Sequence, residues 1–307
     1  EKFASWKHKP RFSMITNGSI LNEEIIDWLM MMEFEVAISH DGPGQPVRGP
    51  DPFDDPEQRE IILGFYRQMT RLKKPFSFNT MMNSQNRSRR AVYEWFVNLT
   101  GDPNIQIGEG TMVDAYDEDG IVHSLITKAD HFDYRQKSFA DMFVTNGQIG
   151  FGNIQNKIGA FIQGMLNHDS ADYLGQKCGM DRDDSIAVDM KGNVTTCQNM
   201  SALTHHKVGH VEQFDEIRLD TAYHFSTRSE CPRCPVVQLC KGACLFLEGQ
   251  FWTTACDNAF THNLAVLAAA IYYQTQGLIL TRITADGIRR DGITSLDVID
   301  LGFVESN

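Results

Sequence analysis

The chain has 307 residues, a formal net charge of −12 at pH 7 and a pI near 5.2. A protein this acidic lacks the basic surface that phosphate binding requires, which excludes a nucleic-acid partner. Its longest apolar run, 264–273, is about half the length that crosses a membrane. We therefore predict a cytoplasmic protein without a membrane segment, long enough to bury a real core and to form two domains.

The first half of the sequence predicts strands that alternate with helices. Asn22 is placed to cap the first helix, and Pro56 occupies the first turn of the second. The predicted strands are 12–16, 35–39, 75–82 and 105–108, and the predicted helices are 23–33, 55–72 and 88–99. This alternation predicts parallel β/α units, with any ligand site at the carboxyl ends of the strands.

The second half predicts fewer regular elements. Residues 112–150 are polar, rich in Asp and irregular in pattern, which is typical of a lid or of a surface excursion. We predict a helix over 158–166, a small hairpin over 186–194 and a buried, Ala-rich helix over 264–273. The tail from 281 mixes Gly with charged residues, and the sequence does not say what it packs against.

All seven cysteines lie between Cys178 and Cys256, and four of them form a C-x2-C-x5-C-x3-C run. Buried core thiols do not favour such short spacings beside helix-breaking prolines. A disulfide framework suits small secreted chains with an even cysteine count. Zinc needs about four ligands, which leaves three thiols without a role. Iron–sulfur clusters take up to four thiolates each, so seven would fill one cluster and leave a second one ligand short. Iron–sulfur clusters are favoured, with zinc as the main rival.

The order of the cysteines carries a resemblance to a known family. The pattern C-x13-G-x4-C, followed by the C-x2-C-x5-C-x3-C run and one more cysteine, resembles the SPASM domain of radical S-adenosylmethionine enzymes. The resemblance implies two auxiliary 4Fe–4S clusters with interleaved ligands. It assigns Cys178, Cys197 and Cys244 to auxiliary cluster I, and Cys231, Cys234, Cys240 and Cys256 to auxiliary cluster II.

Auxiliary cluster I has no fourth cysteine in this assignment. Some relatives supply one shortly after the first cysteine, where this chain has the cysteine-free stretch 179–184. Either Asp181, Asp183 or Asp184 fills the position, or one iron is open to a substrate thiolate or amine. We favour an open or exchangeable position.

Polar motifs at the predicted strand ends carry a second resemblance. A T-N-G sequence after the first strand, an S-x-D-G-P sequence after the second and a following arginine are similar to the strand ends of the radical S-adenosylmethionine barrel. The resemblance implies a cofactor site made by Thr16, Asn17, Ser39, Asp41, Arg48 and Asn83, with Asn79 as an alternative to Asn83. Ser39 would bond the ribose or the amino-acid part of S-adenosylmethionine, and Arg48 its carboxylate. One departure is that Gln45, Pro46 and Val47 replace the family's His–Asp pair before the arginine.

The C-x3-C-x2-C loop that holds the catalytic cluster in this family is not in the sequence, and the G-G-E motif is not there either. The sequence thus resembles the C-terminal part of a larger α/β enzyme. The resemblance implies the second half of a (β/α)6 partial TIM barrel over 1–168, with 112–150 as an insertion or lid. A cysteine-rich SPASM domain with a β-hairpin and loops is expected over 169–260, and a C-terminal helix and tail over 261–307.

The resemblance also implies a reaction. In the family, S-adenosylmethionine is reduced to a 5′-deoxyadenosyl radical that abstracts hydrogen from a peptide or protein, with a reductant such as flavodoxin or ferredoxin as a partner. Sulfatase-maturing relatives carry an aspartate base after the second cysteine of the pattern. Here Gln198 follows Cys197, and a neutral amide does not take up a proton usefully. Thioether or carbon–carbon crosslinking of a ribosomally made precursor peptide is therefore favoured over formylglycine formation.

The catalytic base is not identified by the sequence. Glu109 is the best-placed candidate, because it directly follows the strand predicted over 105–108. Two rivals from other classes stay open: a non-catalytic iron–sulfur electron-transfer or scaffold protein, and a zinc-binding interaction module.

Overall fold

The computed structural model describes Lys7, 10–144, 152–170, 177–178, Arg182, 184–218 and 224–306. The chain divides into two units by its internal contacts. We call Glu1–Thr111 with Val144–Gln155 the sheet unit, and Met112–Phe143 with Asn156–Asn307 the cysteine unit. The second of these holds all seven cysteines.

The described elements follow one another in mixed α/β order. The strands are β1 (Ser13–Thr16), β2 (Glu35–Ser39), β3 (Phe76–Met82), β4 (Ile107–Met112), β5 (Ala187–Val188), β6 (Asn193–Thr195), β7 (Lys207–His210), β8 (Arg282–Ile288) and β9 (Ile293–Asp297). The helices are α1 (Glu23–Met31), α2 (Gln45–Arg48), α3 (Pro56–Arg71), α4 (Arg89–Thr100), α5 (Glu118–Ile121), α6 (Lys128–Val144), α7 (Gly152–Leu166), α8 (Val237–Cys240), α9 (Gly249–Thr275) and α10 (Leu301–Ser306). Short 3-10 turns occupy Gly42–Gly44, Val211–Glu216 and Phe225–Thr227.

A four-stranded sheet organises the sheet unit, in the order β1–β2–β3–β4. β2 pairs in parallel with β1 on one side and with β3 on the other. Every second side chain of β3 is buried, because successive residues of a strand point to opposite faces of the sheet. The parallel sheet with its helices confirms the α/β class that the sequence predicts.

Aromatic side chains fill the core of the sheet unit. The ring of Phe78 is fully buried and lies 4.6 Å from the ring of Phe96 and 5.6 Å from that of Phe76. α3 adds the buried rings of Phe65 and Tyr66. Burying large rings of this kind is a main source of stability in a domain of this size.

The helix boundaries of the sheet unit follow from local capping. Asn22, Asp55 and Ser88 each accept a hydrogen bond from a backbone N–H in the first turn of the helix that follows, at 2.9, 3.0 and 3.2 Å. The predicted starts of α1, α3 and α4 are confirmed to within one residue. β4 begins two residues later than predicted, because the N–H of Ile105 bonds the carbonyl of Asp102 in a turn.

Two long helices, α6 and α9, form the packed part of the cysteine unit. The hydroxyl of Tyr134 lies 3.2 Å from Nδ1 of His262, and Arg135 donates to Oγ1 of Thr261 at 3.2 Å. α9 is fully buried over much of 264–270, which confirms the predicted Ala-rich buried helix. Part of the stretch expected as a lid or surface excursion is thus a helix, α6, with the fully buried ring of Phe139.

Two antiparallel elements complete the cysteine unit. β5 and β6 form the hairpin predicted over 186–194, and β7 pairs with β6. Its turn needs Gly192, which has φ of 83° and whose added Cβ would lie 2.8 Å from Nε2 of His210. β8 and β9 form a second hairpin in the C-terminal tail, which the sequence analysis did not predict.

None of the helices in the described part of the chain combines the length and the apolar character needed to cross a membrane.

Candidate functional site

Three of the predicted cofactor-binding residues meet at the carboxyl end of β2. Nη1 of Arg48 donates to Oδ1 of Asp41 at 3.0 Å, and Nη2 donates to Oγ of Ser39 at 2.6 Å. Oδ1 of Asp41 also accepts from the backbone N–H of Met81 on β3, at 2.9 Å. The Asp41 carboxylate therefore joins the ends of two neighbouring strands and holds a guanidinium whose side chain is 43% exposed.

The loop after β2 is shaped by close backbone packing. Gly42 has φ of 59°, in the region that favours glycine. A Cβ on Gly44 would lie 2.5 Å from Cβ of Asn86 and 2.7 Å from Nδ2 of Asn83. Nδ2 of Asn86 in turn donates to the carbonyl of Asp41 at 2.7 Å. The loop is thus fixed from both sides, which presets the position of the Asp41 carboxylate.

A buried histidine supports this loop, and sequence reasoning did not single it out. His40 is fully buried; Nδ1 accepts from the N–H of Gly42 at 3.0 Å and Nε2 lies 2.9 Å from Oδ1 of Asp51. Its ring stacks on Trp95, with the centroids 4.9 Å apart. Burial lowers the pKa of His40, although hydrogen bonding to Asp51 opposes the effect. A neutral imidazole that donates to Asp51 and accepts from Gly42 satisfies both contacts.

The other predicted cofactor residues make local contacts. Oγ1 of Thr16 accepts from the N–H of Gly18 at 3.2 Å, and Oδ1 of Asn17 accepts from the N–H of Ser19 at 3.1 Å. Asn83 is buried and donates to the carbonyl of Gly44 at 3.2 Å. These contacts shape the turns after β1 and β3, and the cofactor roles of these residues stay predictions.

The candidate base Glu109 lies within β4. The prediction that it directly follows a strand is therefore wrong. β4 begins at Ile107 and continues to Met112, so Glu109 is its third residue. Two acidic residues further along the chain have partners: Asp117 caps α5 and accepts from the N–H of Gly120 at 2.7 Å, and Glu118 accepts from Gln250 at 2.5 Å.

The four cysteines assigned to auxiliary cluster II line one cavity of the cysteine unit. The space between its lining atoms is about 330 Å³, part of which is open to solvent. Its wall consists of Cys231, Cys234, Cys240 and Cys256 together with Glu230, Val236, Val237, Gly242, Phe260 and Arg289. Four thiols around one partly apolar cavity form a soft donor set of the kind that holds an iron–sulfur cluster.

Local geometry brings the four thiols to this cavity. The N–H of Cys234 bonds the carbonyl of Cys231 at 2.9 Å, which makes the C-x2-C segment a turn. α8 ends at Cys240, and Lys241 and Ala243 then adopt positive φ of 53° and 59°. The N–H of Ala243 points back to Sγ of Cys240 at 3.2 Å. Hydrogen bonds from backbone N–H groups to cysteine sulfur stabilise the thiolate form and tune iron–sulfur clusters.

Three thiols of the cavity, those of Cys231, Cys234 and Cys256, keep their protons at pH 7 because their pKa values are raised. Burial raises the pKa of Cys231 to about 11 and that of Cys234 to about 12. Burial also raises the pKa of Cys256 to about 11, although Arg289 and Arg290 oppose the rise. Because a metal binds thiolates, loading this cavity must release protons.

The residues assigned to auxiliary cluster I have a more polar environment. Cys178 is exposed and Cys197 is buried, while Cys244 is half-buried beside the hydroxyl of Tyr116. Burial first, and then the negative charges of Cys244 and Asp114, raise the pKa of Tyr116. Nζ of Lys177, next to Cys178 in the chain, lies 3.3 Å from Oδ2 of Asp114.

The aspartates considered as a fourth ligand are only in part described. Asp184 pairs with Arg182 on the surface, with Nη2 and Oδ2 2.5 Å apart. Asp181 and Asp183 lie outside the described residues. Within the described ranges, no group of three or more His, Cys, Asp or Glu residues is arranged so that it could hold a single metal ion, whereas a 4Fe–4S cluster spreads its thiolates over four irons.

Comparisons with known proteins show which solved structures share the fold of this chain. No protein-family model matches the chain, and no curated protein sequence matches it. Solved structures of anSMEcpe, an anaerobic sulfatase-maturing radical S-adenosylmethionine enzyme, do match. The chain shares their fold.

The extent of the match is similar for three of these structures. Native anSMEcpe with bound AdoMet and the Cp18Cys peptide is 18% identical, with 86% of this chain and 77% of that chain covered and a TM-score of 0.52. Polyhistidine-tagged anSMEcpe with bound AdoMet is 18% identical, with 89% and 74% covered and a TM-score of 0.54. Native anSMEcpe with bound AdoMet and the Kp18Cys peptide is 17% identical, with 86% and 77% covered and a TM-score of 0.53. At these identities the match concerns the fold.

Proposed function

We propose that the chain belongs to a radical S-adenosylmethionine enzyme that modifies a peptide and carries two auxiliary 4Fe–4S clusters. The observation that carries the proposal is the cavity lined by Cys231, Cys234, Cys240 and Cys256, in a chain with the fold of anSMEcpe. In this account the sheet unit is the second half of a partial (β/α)6 barrel, and the cysteine-rich segment is a SPASM domain.

The cysteines divide between the clusters as the sequence resemblance implies. The four thiols of the cavity hold auxiliary cluster II, and Cys178, Cys197 and Cys244 hold auxiliary cluster I. Bound clusters supply one-electron transfer or a coordination position for substrate. This chain supplies thiolates, backbone N–H donors to sulfur and an apolar wall that excludes water.

The carboxyl end of β2 forms part of the S-adenosylmethionine site. Arg48 presents a planar, partly exposed guanidinium that suits the carboxylate of the cofactor, and Ser39 lies beside it. Asp41 orients the guanidinium and ties it to β3. S-adenosylmethionine, when bound with a catalytic cluster, supplies a 5′-deoxyadenosyl radical, and the protein's task is to position the reacting carbon and to exclude water.

The substrate is a peptide, and crosslink formation is the leading activity. Solved structures of anSMEcpe contain bound peptides, which supports a peptide-sized substrate for this fold. Gln198 stands directly after Cys197 in this chain and cannot act as a carboxylate base. Formylglycine formation is the second candidate, favoured by the likeness to a sulfatase-maturing enzyme.

A peptide-modification assay tests the proposal. The natural protein, purified without oxygen, is incubated with S-adenosylmethionine, a flavodoxin or chemical reductant and the peptide encoded beside its gene. We expect release of 5′-deoxyadenosine and a peptide that has lost hydrogen atoms, gained no other atoms and carries no aldehyde, as a crosslink requires. A new aldehyde, formed either by replacement of a cysteine sulfur by oxygen or by loss of two hydrogens from a serine, identifies formylglycine formation instead. Cofactor turnover without peptide modification contradicts both.

The cofactor site is tested separately by binding. Arg48→Met removes the guanidinium and should weaken S-adenosylmethionine binding by about tenfold or more, as expected for the loss of a charge-assisted hydrogen bond. Arg59→Met, on the exposed face of α3, is the matched control. If both variants bind S-adenosylmethionine with equal affinity, Arg48 is not part of the cofactor site.

A further inference from the structure

The tip of the C-terminal hairpin reaches the cavity of the four cysteines. β8 and β9 pair through Ile288 and Ile293, and the turn between them carries Arg289 and Arg290. Arg289 belongs to the wall of the cavity, and its side chain is only 6% exposed. Ile288, the last residue of β8, is also buried. Arginine side chains are seldom buried in this way, because burying a charge is costly unless it has partners.

An ion pair and an aromatic ring fix this arginine. Arg289 bonds the carboxylate of Asp257, the residue that follows Cys256, and its Cζ lies 4.6 Å from the ring centroid of Phe260. Nη2 of Arg290 reaches the same carboxylate at 2.8 Å. The backbone of Arg289 has φ of 62°, a left-handed conformation that the surrounding contacts must maintain. The hairpin is thereby attached to the first turns of α9, directly beside the last thiol.

The other side of the hairpin is attached to the C-x2-C segment. Nη1 of Arg233, between Cys231 and Cys234, donates to the carbonyl of Asp286 at 3.2 Å. Gly287 makes this approach possible, since an added Cβ would lie 3.2 Å from the same Nη1. The hairpin therefore contacts the two segments that supply Cys231, Cys234 and Cys256 to the cavity, although the hairpin lies further along the sequence.

We propose that the β8–β9 hairpin is part of the auxiliary cluster II site, and that Arg289 is the cation that sets the reduction potential of this cluster. The inference rests on the proposed function, since it requires a cluster in the cavity. A 4Fe–4S cluster held by four thiolates is a net anion and gains one more negative charge when it is reduced. A cation in the wall favours the more negative, reduced form, so Arg289 raises the potential. Arg289 acts on the cluster through its charge.

The test is a redox titration of the anaerobically purified full chain, followed by electron paramagnetic resonance, with iron and sulfide counted for each variant. We expect Arg289→Met to shift one of the two auxiliary signals to lower potential. The shift should correspond to about a tenfold change in the ratio of reduced to oxidised cluster, which is about 59 mV for one electron. Arg289→Lys keeps the charge and should shift the same signal by less than half as much.

The matched control lies on the same hairpin. Arg282 pairs with Asp297 at 2.7 Å, and both side chains are more than half exposed. Arg282→Met should leave both potentials and the iron content unchanged. Unchanged potentials in Arg289→Met, at the iron content of the unmodified protein, overturn the inference.

Loss of iron from a variant also tests the proposed role of Arg289. If Arg289→Met loses the cluster while Arg289→Lys keeps it, the charge is required and the proposal stands. If both lose it while Arg282→Met keeps it, only the shape of the guanidinium counts and the proposed electrostatic role is wrong. An unmodified protein without iron and sulfide contradicts the proposed function itself, before any variant is compared.

Discussion

The two units of this protein differ in what stabilises each of them internally. The described part of the sheet unit contains the helices α1, α3 and α4, parallel strands and an aromatic core that includes the fully buried Phe78 and Phe96. In the cysteine unit, by contrast, the described strands between the first cysteine and α8 have only two to four residues each. The buried cluster near its thiols consists of Ala243, Leu247, Trp252 and Ala255. Hydrophobic burial can stabilise the first unit alone, whereas the loops of the second depend on what the thiols bind.

Removal of metal should have the largest effect and should separate the two units. A structural metal site contributes on the order of 10 kcal/mol to folding, and the cysteine loops have little else to stabilise them. Chelation after oxidation should therefore abolish hydrogen-exchange protection over 184–218 and 224–248. The amides of β2 and β3 serve as the internal control and should keep their protection. Equal loss in both units, or loss in neither, contradicts the contrast between them.

Removal of one core ring should have the second largest effect, and it should act on the sheet unit. Phe78→Ala leaves a cavity among the rings of Phe53, Phe76 and Phe96, and we expect a loss of about 3–5 kcal/mol in the free energy of unfolding. Native-state hydrogen exchange of β2 and β3 measures it. Ile20→Ala, at a position 74% exposed, is the control and should cost less than about 0.5 kcal/mol. A loss below about 1 kcal/mol for Phe78→Ala, on the same scale, contradicts the assigned core.

The pH dependence of the sheet unit should report on His40. Burial lowers the pKa of His40 from its ordinary value of 6.5, so the unfolded state binds the proton more readily. The free energy of unfolding should be constant above pH 6.5 and should fall as the pH drops below it. Exchange rates of β2 and β3 amides, corrected for their intrinsic pH dependence, provide the measurement.

The matching variant for this prediction is His40→Gln. A glutamine amide can still donate to Asp51 and accept from Gly42, but it does not titrate. The slope below pH 6.5 should become smaller in this variant. An unchanged slope assigns the pH dependence to other groups of the unit.

Loss of a helix cap should have the smallest effect. Asn22→Ala removes the acceptor for the N–H of Ile25 at the start of α1 and should cost about 1 kcal/mol. Asn22→Asp keeps an acceptor and should restore most of the loss. Thermal unfolding of the sheet unit, followed by exchange or circular dichroism, compares the three proteins. Equal stability of the alanine and aspartate variants would show that the cap does not matter.

The contrast between the units also explains what the sequence could predict. β2, α3 and β3 follow from alternating or periodic apolar residues and from capping at Asp55, all of which are local signals. The resemblance to the SPASM domain implied which thiols belong together, and the four that it assigns to auxiliary cluster II line one cavity.

Contacts between distant parts of the chain were beyond the reach of these signals. Arg289 meets the thiols only because β8 and β9 pair, and the Asp291–Gly292 turn signal was hidden in a polar tail with an irregular register. α6 was missed because its polar surface conceals the apolar positions around Tyr134. The burial of His40 depends on Trp95, which lies on a helix more than fifty residues away.

The metal content of the anaerobically purified chain is the decisive measurement. We expect about eight irons with an equal amount of sulfide, as two auxiliary 4Fe–4S clusters require. Cys234→Ser should lower both counts together, since this residue is one of the four that line the cavity. Zinc without sulfide, bound to the same cysteines, would contradict the account.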